Sequence, residues 1–177
     1  MTEKHEHGGK GSGTFVNRKK VVALLIHKDD SFLDLGCGPG DYLSFANKVA
    51  SKVIGADIHK ESLEHVKKLG FKAVFGDATK KLPFKAGSFD SILVSNVMHG
   101  FVNDGTSKAA LSEIKRALKK EGRLGIVEFK SKSPMGPLKE IRLSEKKLID
   151  LVAPYKFKKI ASSSVGMFNY MTVFVKE

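Results

Sequence analysis

The sequence predicts an α/β fold: a mostly parallel, open sheet with helices on both faces. Three observations carry this. Short apolar runs alternate with amphipathic stretches from SFLDL (31–35) to RLGIVEF (123–129). A glycine-rich turn, GCGPG (36–40), follows the first of these runs. The tail ends in two strand-like runs joined by a connection too short for a parallel crossover. Strands that alternate with helices form parallel sheets, because the crossover helices cover both faces.

Taken in order, Asn17 is placed to cap a helix with Val21, Val22, Leu25 and Ile26 inward, closed by Asp29-Asp30. The strand at 31–35 and the glycine turn come next. A helix is expected over 41–50, with Leu43, Phe45, Ala46 and Val49 inward. Strand KVIGAD (52–57) leads to a helix at 60–69 that stops at Gly70, a C-cap signal. Strand KAVFGD (72–77) follows, then a loop and strand FDSILVSN (89–96). A helix over 106–119 presents Leu111, Ile114 and Leu118 on one face before strand 123–129. After Pro134 and Pro137 a helix is expected near 144–153. FKKIASSS (157–164) and NYMTVFVKE (169–177) then pair as an antiparallel hairpin.

A chain of 177 residues suits one domain. Residues 1–13, rich in Gly, His and Lys, read as a flexible arm, and 14–177 as a single domain. No apolar run approaches the roughly 18 residues of a membrane span, and the N-terminus has no secretory apolar region. The one cysteine, Cys37, excludes an internal disulfide framework. A cytoplasmic protein, monomeric or homodimeric, is expected. The formal charge of +12 raises the prior for an anionic partner. The lysines are dispersed, however, and only Arg18, Arg116, Arg123 and Arg142 supply guanidinium groups. Nucleic acid is therefore possible but not favoured.

The turn spaces its glycines as G-x-G-x-G. Alternate glycines let the backbone turn sharply and let a ligand touch main-chain atoms. A dinucleotide fingerprint needs G-x-G-x-x-G, but Asp41 stands at the third glycine's place. A carboxylate there opposes a pyrophosphate and suits an amino-acid ammonium, such as the methionine end of S-adenosylmethionine. No G-x-x-x-x-G-K-[ST] loop is present, which argues against nucleotide hydrolysis. Asp57 ends the second strand, where a carboxylate can accept ribose hydroxyls or cap the next helix. Asp77 and Ala78 end the third, as an adenine edge or a turn.

FLDLGCGPG, VIGADI, GDAT, FDSILVSNVMH and LKKEGRLGIVEF together resemble the successive motifs of class I S-adenosylmethionine-dependent methyltransferases. The likeness is to the small-molecule branch that includes ubiquinone and menaquinone C-methyltransferases, and runs from about residue 15 to the end. It implies a Rossmann-like fold of seven strands with the last antiparallel, and S-adenosyl-L-methionine as cofactor. Asp34, Gly36, Cys37 and Gly38 then line the methionine end. Asp57 and Ile58 hold ribose and one adenine face, Asp77 and Ala78 the adenine edge, and Ser95 and Asn96 lie beside the reactive methyl. The tail resembles a subgroup of small methyltransferase domains. These share a His-containing arm (His5, His7), a histidine after the fourth strand (His99), Met135-Gly136-Pro137 and Arg142-Leu143-Ser144, with Leu138 replacing a second proline.

Methyl transfer from a sulfonium needs alignment, and a base where the nucleophile carries a proton. His99 and Asn96 are the candidates for that work. The alternative for His99 is a helix-capping or loop histidine hydrogen-bonded to backbone. Arg142 and Phe101 are candidates for the acceptor side; Arg142 equally suits a pair with Glu140 or Glu145. The segment 131–143 has the length of an active-site cover. His5 and His7 lack further metal ligands, so no metal is expected, and Cys37 suits packing.

Ser95-Asn96-Val97-Met98 stands where adenine and glutamine amino-methyltransferases carry an Asn- or Asp-Pro-Pro-Tyr motif. The single cysteine argues against cysteine-dependent cytosine and arsenite methylation. A small-molecule acceptor is the expected reading. An RNA or protein methyltransferase, or a module that binds cofactor without transferring methyl, stays open. A nicotinamide oxidoreductase is disfavoured by the glycine spacing.

Overall fold

The structure, a computed structural model, describes residues 15–177. The expected arm at 1–13, with His5 and His7, lies outside the described residues. The elements run α1 (Arg18–Leu25), β1 (Ser31–Leu35), α2 (Leu43–Ala46), β2 (Lys52–Asp57), α3 (Lys60–Lys68), β3 (Lys72–Phe75) and β4 (Phe89–Ser95). They continue with α4 (Met98–Asn103), α5 (Ser107–Ala117), β5 (Leu118–Phe129), α6 (Glu145–Val152), β6 (Phe157–Ser164) and β7 (Asn169–Lys176). The seven strands lie in the order β3-β2-β1-β4-β5-β7-β6. β1 to β5 pair in parallel, and β7 runs antiparallel to both β5 and β6.

Alternation along the strands divides the core between two faces. Phe32, Val53 and Val127 pack with α1 and α2 residues such as Val21, Leu25 and Leu43 on one face. Leu33, Ile54 and Ile126 pack with Leu111, Ile114 and Leu148 of α5 and α6 on the other. Buried on both sides, the central strands are almost wholly apolar. The order reverses between β1 and β4, so the carboxyl ends of β1, β2 and β4 open onto one crevice, where open α/β sheets bind ligands.

The caps follow the sequence. Asn17 accepts the Lys20 amide at 3.0 Å, Ser144 accepts the Lys147 amide, and Gly70 turns the chain at φ +83°. Three expectations need correction. The helix expected over 41–50 is regular only over four residues. Its amides divide between i−3 and i−4 carbonyls: Phe45 bonds to Tyr42 and Lys48 to Phe45, while Ala50 bonds to Ala46. No element is expected between 96 and 106, yet the short helix α4 stands there. The helix expected over 106–119 ends at Ala117, where Leu118 takes extended backbone and pairs with Phe89. Asn96 follows β4 in left-handed backbone, φ 55°.

Candidate active site

The glycine turn carries the site. Gly36, Gly38 and Gly40 all have positive φ, a region closed to most side chains. A methyl group at Gly36 would lie 2.7 Å from Val97 Cγ2, so the turn packs directly on the β4–α4 junction. A methyl at Gly38 would meet nothing within 4 Å, so the backbone there faces open space. Cys37 packs inward: its Sγ would be 2.9 Å from a methyl at Gly55. Burial pushes its thiol well above the ordinary range, as expected of a packing residue.

Asp34, at the end of β1, is 1% exposed, and neither carboxylate oxygen has a hydrogen-bond partner among the described residues. Burial, then the charges of Asp41 and Asp57, raises its pKa to about 8. A buried carboxylate without donors is costly. A cation beside it would offset that cost. The ammonium-bearing methionine end of S-adenosylmethionine fits that demand, and the open backbone at Gly38 leaves room for it.

The other acids are already engaged. Asp57 accepts the Gly38 amide at 2.8 Å with one oxygen; with the other it meets the His59 amide at 2.9 Å and His59 Nδ1 at 2.8 Å. Asp77 accepts the Thr79 amide and hydroxyl at 2.9 and 2.6 Å, and the Thr79 hydroxyl chiefly holds its carboxyl below the usual range. Ala78 is buried and Ile58 exposed. Ser95 Oγ lies 2.9 Å from the Tyr42 hydroxyl, and Arg18 pairs with Asp41 at 2.9 Å beside it.

His99 is buried on α4, 8% exposed. Its Nδ1 is 2.8 Å from Glu128 Oε2, and its amide donates to Glu128 Oε1 at 3.0 Å. Asn96 Oδ1 accepts the Asn169 side-chain amide at 3.0 Å. Phe101 is partly buried against the α5–α6 core. Arg142, a candidate for the acceptor side, turns inward. Its guanidinium donates to the carbonyls of Pro137, Ser133, Ser131, Lys130 and Met135 at 2.7–3.4 Å, and the residue is 7% exposed. It holds the segment 130–137 from within and pairs with neither Glu140 nor Glu145.

Sequence reasoning missed Glu128, Tyr42 and Asn169. For Glu128 a signal existed: it is the one charge inside the buried run LGIVEF, and a buried charge needs a partner.

A family profile described as a methyltransferase domain matches residues 33–126. The chain belongs to this family. It is a class I S-adenosylmethionine-dependent methyltransferase domain, of a family whose cofactor is S-adenosyl-L-methionine. It is 35% identical over 117 residues to a demethylmenaquinone methyltransferase of Thermotoga maritima, covering 63% of this chain and 49% of the relative. It is 34% identical over 98 residues to a tRNA (carboxymethyluridine(34)-5-O)-methyltransferase of Xenopus tropicalis, covering 55% of this chain and 15% of that protein. The methyltransferase domain thus spans half or less of these two relatives. In fold it is similar to a methyltransferase of Aquifex aeolicus, with a TM-score of 0.80 at 23% identity, covering 92% of this chain and 91% of that one. The sheet order with its reversed β7 agrees with the sequence expectation of a mostly parallel seven-stranded sheet.

Proposed function

We propose that this protein transfers the methyl group of S-adenosylmethionine to a small-molecule acceptor. The observation that carries this is Asp34: a sealed carboxylate without a donor, under an open glycine turn, in a methyltransferase domain. Bound cofactor supplies an electrophilic methyl on a sulfonium. In this reading Asp34 faces the cationic methionine end, Gly36, Cys37 and Gly38 shape the backbone beside it, and Ser95 lies beyond. Asp57 and Ile58 serve the ribose and adenine, with Asp77 and Ala78 at the adenine edge. Asp57 retains lone-pair capacity for this beyond the bonds it already makes.

His99 and Asn96 serve the acceptor at the carboxyl end of β4, with Phe101 on the same short helix as His99. The quinone-branch relative supports a small acceptor. The arginines support it too. Arg18 pairs with Asp41, Arg116 with Glu113, Arg123 with Asp30, and Arg142 is spent on carbonyls. A phosphate-binding face would therefore rest on lysine alone. No described helix is long and apolar enough to cross a membrane, and we place the protein in the cytoplasm.

Calorimetry with S-adenosylhomocysteine, then transfer of labelled methyl to fractionated small metabolites or to RNA, tests the reading. Absence of cofactor binding overturns it; label found only in RNA overturns the small-molecule acceptor.

A further inference from the structure

Glu128 lies on β5 one residue past Val127, which pairs with Ser95 of β4. It is 1% exposed, so its carboxylate must be satisfied from within the protein. Both oxygens reach one residue. Oε1 accepts the His99 backbone amide at 3.0 Å, and Oε2 lies 2.8 Å from His99 Nδ1. The backbone contact fixes the start of α4, and the ring contact fixes the imidazole on it. The other ring nitrogen, Nε2, makes no hydrogen bond among the described residues and is not among the sealed polar atoms. Opposite Glu128 on β7 stands Tyr170, whose hydroxyl donates to the Leu143 carbonyl and leaves Glu128 to the histidine.

The proton between Glu128 and His99 can sit in two places. If it is on the carboxyl, Oε2–H donates to Nδ1 and the neutral ring carries its proton on Nε2, where it cannot accept another. If the carboxyl is ionised, Nδ1–H donates to Oε2 and the Nε2 lone pair is free. In the ionised arrangement both oxygens accept from His99, Oε1 from its backbone amide and Oε2 from its ring.

We propose that Glu128 is a positioning residue that holds His99 as the Nδ1–H tautomer, making Nε2 the proton acceptor for a methyl acceptor that sheds a proton on transfer. The inference rests on the reading of His99 as an acceptor-side base. The balance is simple. The acceptor's oxygen, nitrogen or carbon bonds to the methyl carbon, and the carbon–sulfur bond breaks with its electron pair on sulfur. The acceptor's proton passes to His99 Nε2. The resulting imidazolium is neutralised by the Glu128 carboxylate. The acceptor class is therefore a nucleophile that arrives protonated, such as a phenol or enol, rather than a thioether or tertiary amine.

Nitrogen-15 NMR of histidine-labelled full chain with S-adenosylhomocysteine, at a pH where imidazole is neutral, reads the tautomer directly. His99→Ala assigns the signal. We expect protonated Nδ1 and unprotonated Nε2 in the unmodified protein. In Glu128→Gln the backbone amide keeps the amide oxygen, which turns the side-chain NH₂ toward Nδ1 and drives the ring proton to Nε2. S-adenosylhomocysteine affinity should be unchanged in Glu128→Gln, while methyl transfer with cell extract as acceptor source falls roughly 100-fold or more. An Nε2–H tautomer in the unmodified protein overturns the inference, and this measurement does not depend on the folding of Glu128→Gln. So does an unaltered tautomer in Glu128→Gln. Undiminished transfer by His99→Ala is a different failure: it removes the base reading itself, whatever tautomer Glu128 holds.

Discussion

The Asp57 carboxylate accepts the Gly38 amide at 2.8 Å, tying the end of β2 to the middle of the glycine turn. The same side chain holds the His59 amide at the start of α3. Asp57 thus shapes the turn, in addition to the ribose role proposed for it. Asp57→Ala should weaken S-adenosylhomocysteine binding by roughly 1.5–3 kcal/mol for each charged hydrogen bond lost. Calorimetry showing unchanged affinity would rule out a role in the cofactor site.

Asp34 should link cofactor binding to protons. Its carboxyl is pushed up from an ordinary pKa of 3.8 to about 8 by burial in the fold. Between these values the unfolded chain has lost a proton that the folded chain keeps, so this group makes the cofactor-free fold less stable as pH rises from about 4 to 8. A cation at the site favours the ionised form. Binding near pH 7 should therefore release protons, seen as a dependence of calorimetric enthalpy on buffer ionisation enthalpy. Asp34→Asn should bind cofactor more weakly, yet raise the melting temperature of the cofactor-free protein at pH 8 by roughly 2–4 °C or more. A lower melting temperature would contradict the assignment of Asp34 as an unsatisfied charge.

Gly36 has two reasons to be glycine. It sits at φ +77°, and an added methyl would be 2.7 Å from Val97 Cγ2. Gly36→Ala should cost about 1–2 kcal/mol from the backbone alone, and more from the clash. Val97→Ala in the same chain should recover the clash component but not the backbone one. Urea denaturation of the single and double variants separates the two contributions.

Arg142 should act on stability rather than on acceptor affinity. Removing its guanidinium takes the donor from the carbonyls of 131, 133 and 137, and leaves that of Met135 only the Ser133 hydroxyl. Arg142→Ala should destabilise the protein by roughly 2–4 kcal/mol and open the segment 130–137 to proteolysis. Arg142→Lys should fall between the two, since one ammonium cannot span five carbonyls. Unaltered stability with a raised KM would restore the acceptor role.

The charge of +12 predicts nonspecific attraction to RNA. Binding should weaken steeply as salt rises and show no sequence preference. Sub-micromolar binding at physiological salt with a preferred site would mark a built RNA surface, and it would revive the alternative that the tRNA methyltransferase relative raises.

The sequence by itself determined the sheet, because its information is local. Short continuous apolar runs, alternating with amphipathic stretches and cap signals such as Asn17 and Gly70, specify strands and helices from local sequence. The three glycines likewise announced a turn that only positive φ permits. The short connection at 165–168 forced β6 and β7 to be antiparallel. Tertiary structure alone decided what each polar side chain does. Arg142 is one of four arginines in the sequence, and only the folded chain sets five carbonyls around its guanidinium. Glu128 read as one charge in an apolar run until β4 and β5 aligned and brought it to His99, 29 residues away in sequence. Asp34 finds no donor after folding, whereas Asp57 and Asp77 do. Hydrogen-bond partners are chosen by proximity across strands, and a linear pattern of residue types does not carry that proximity.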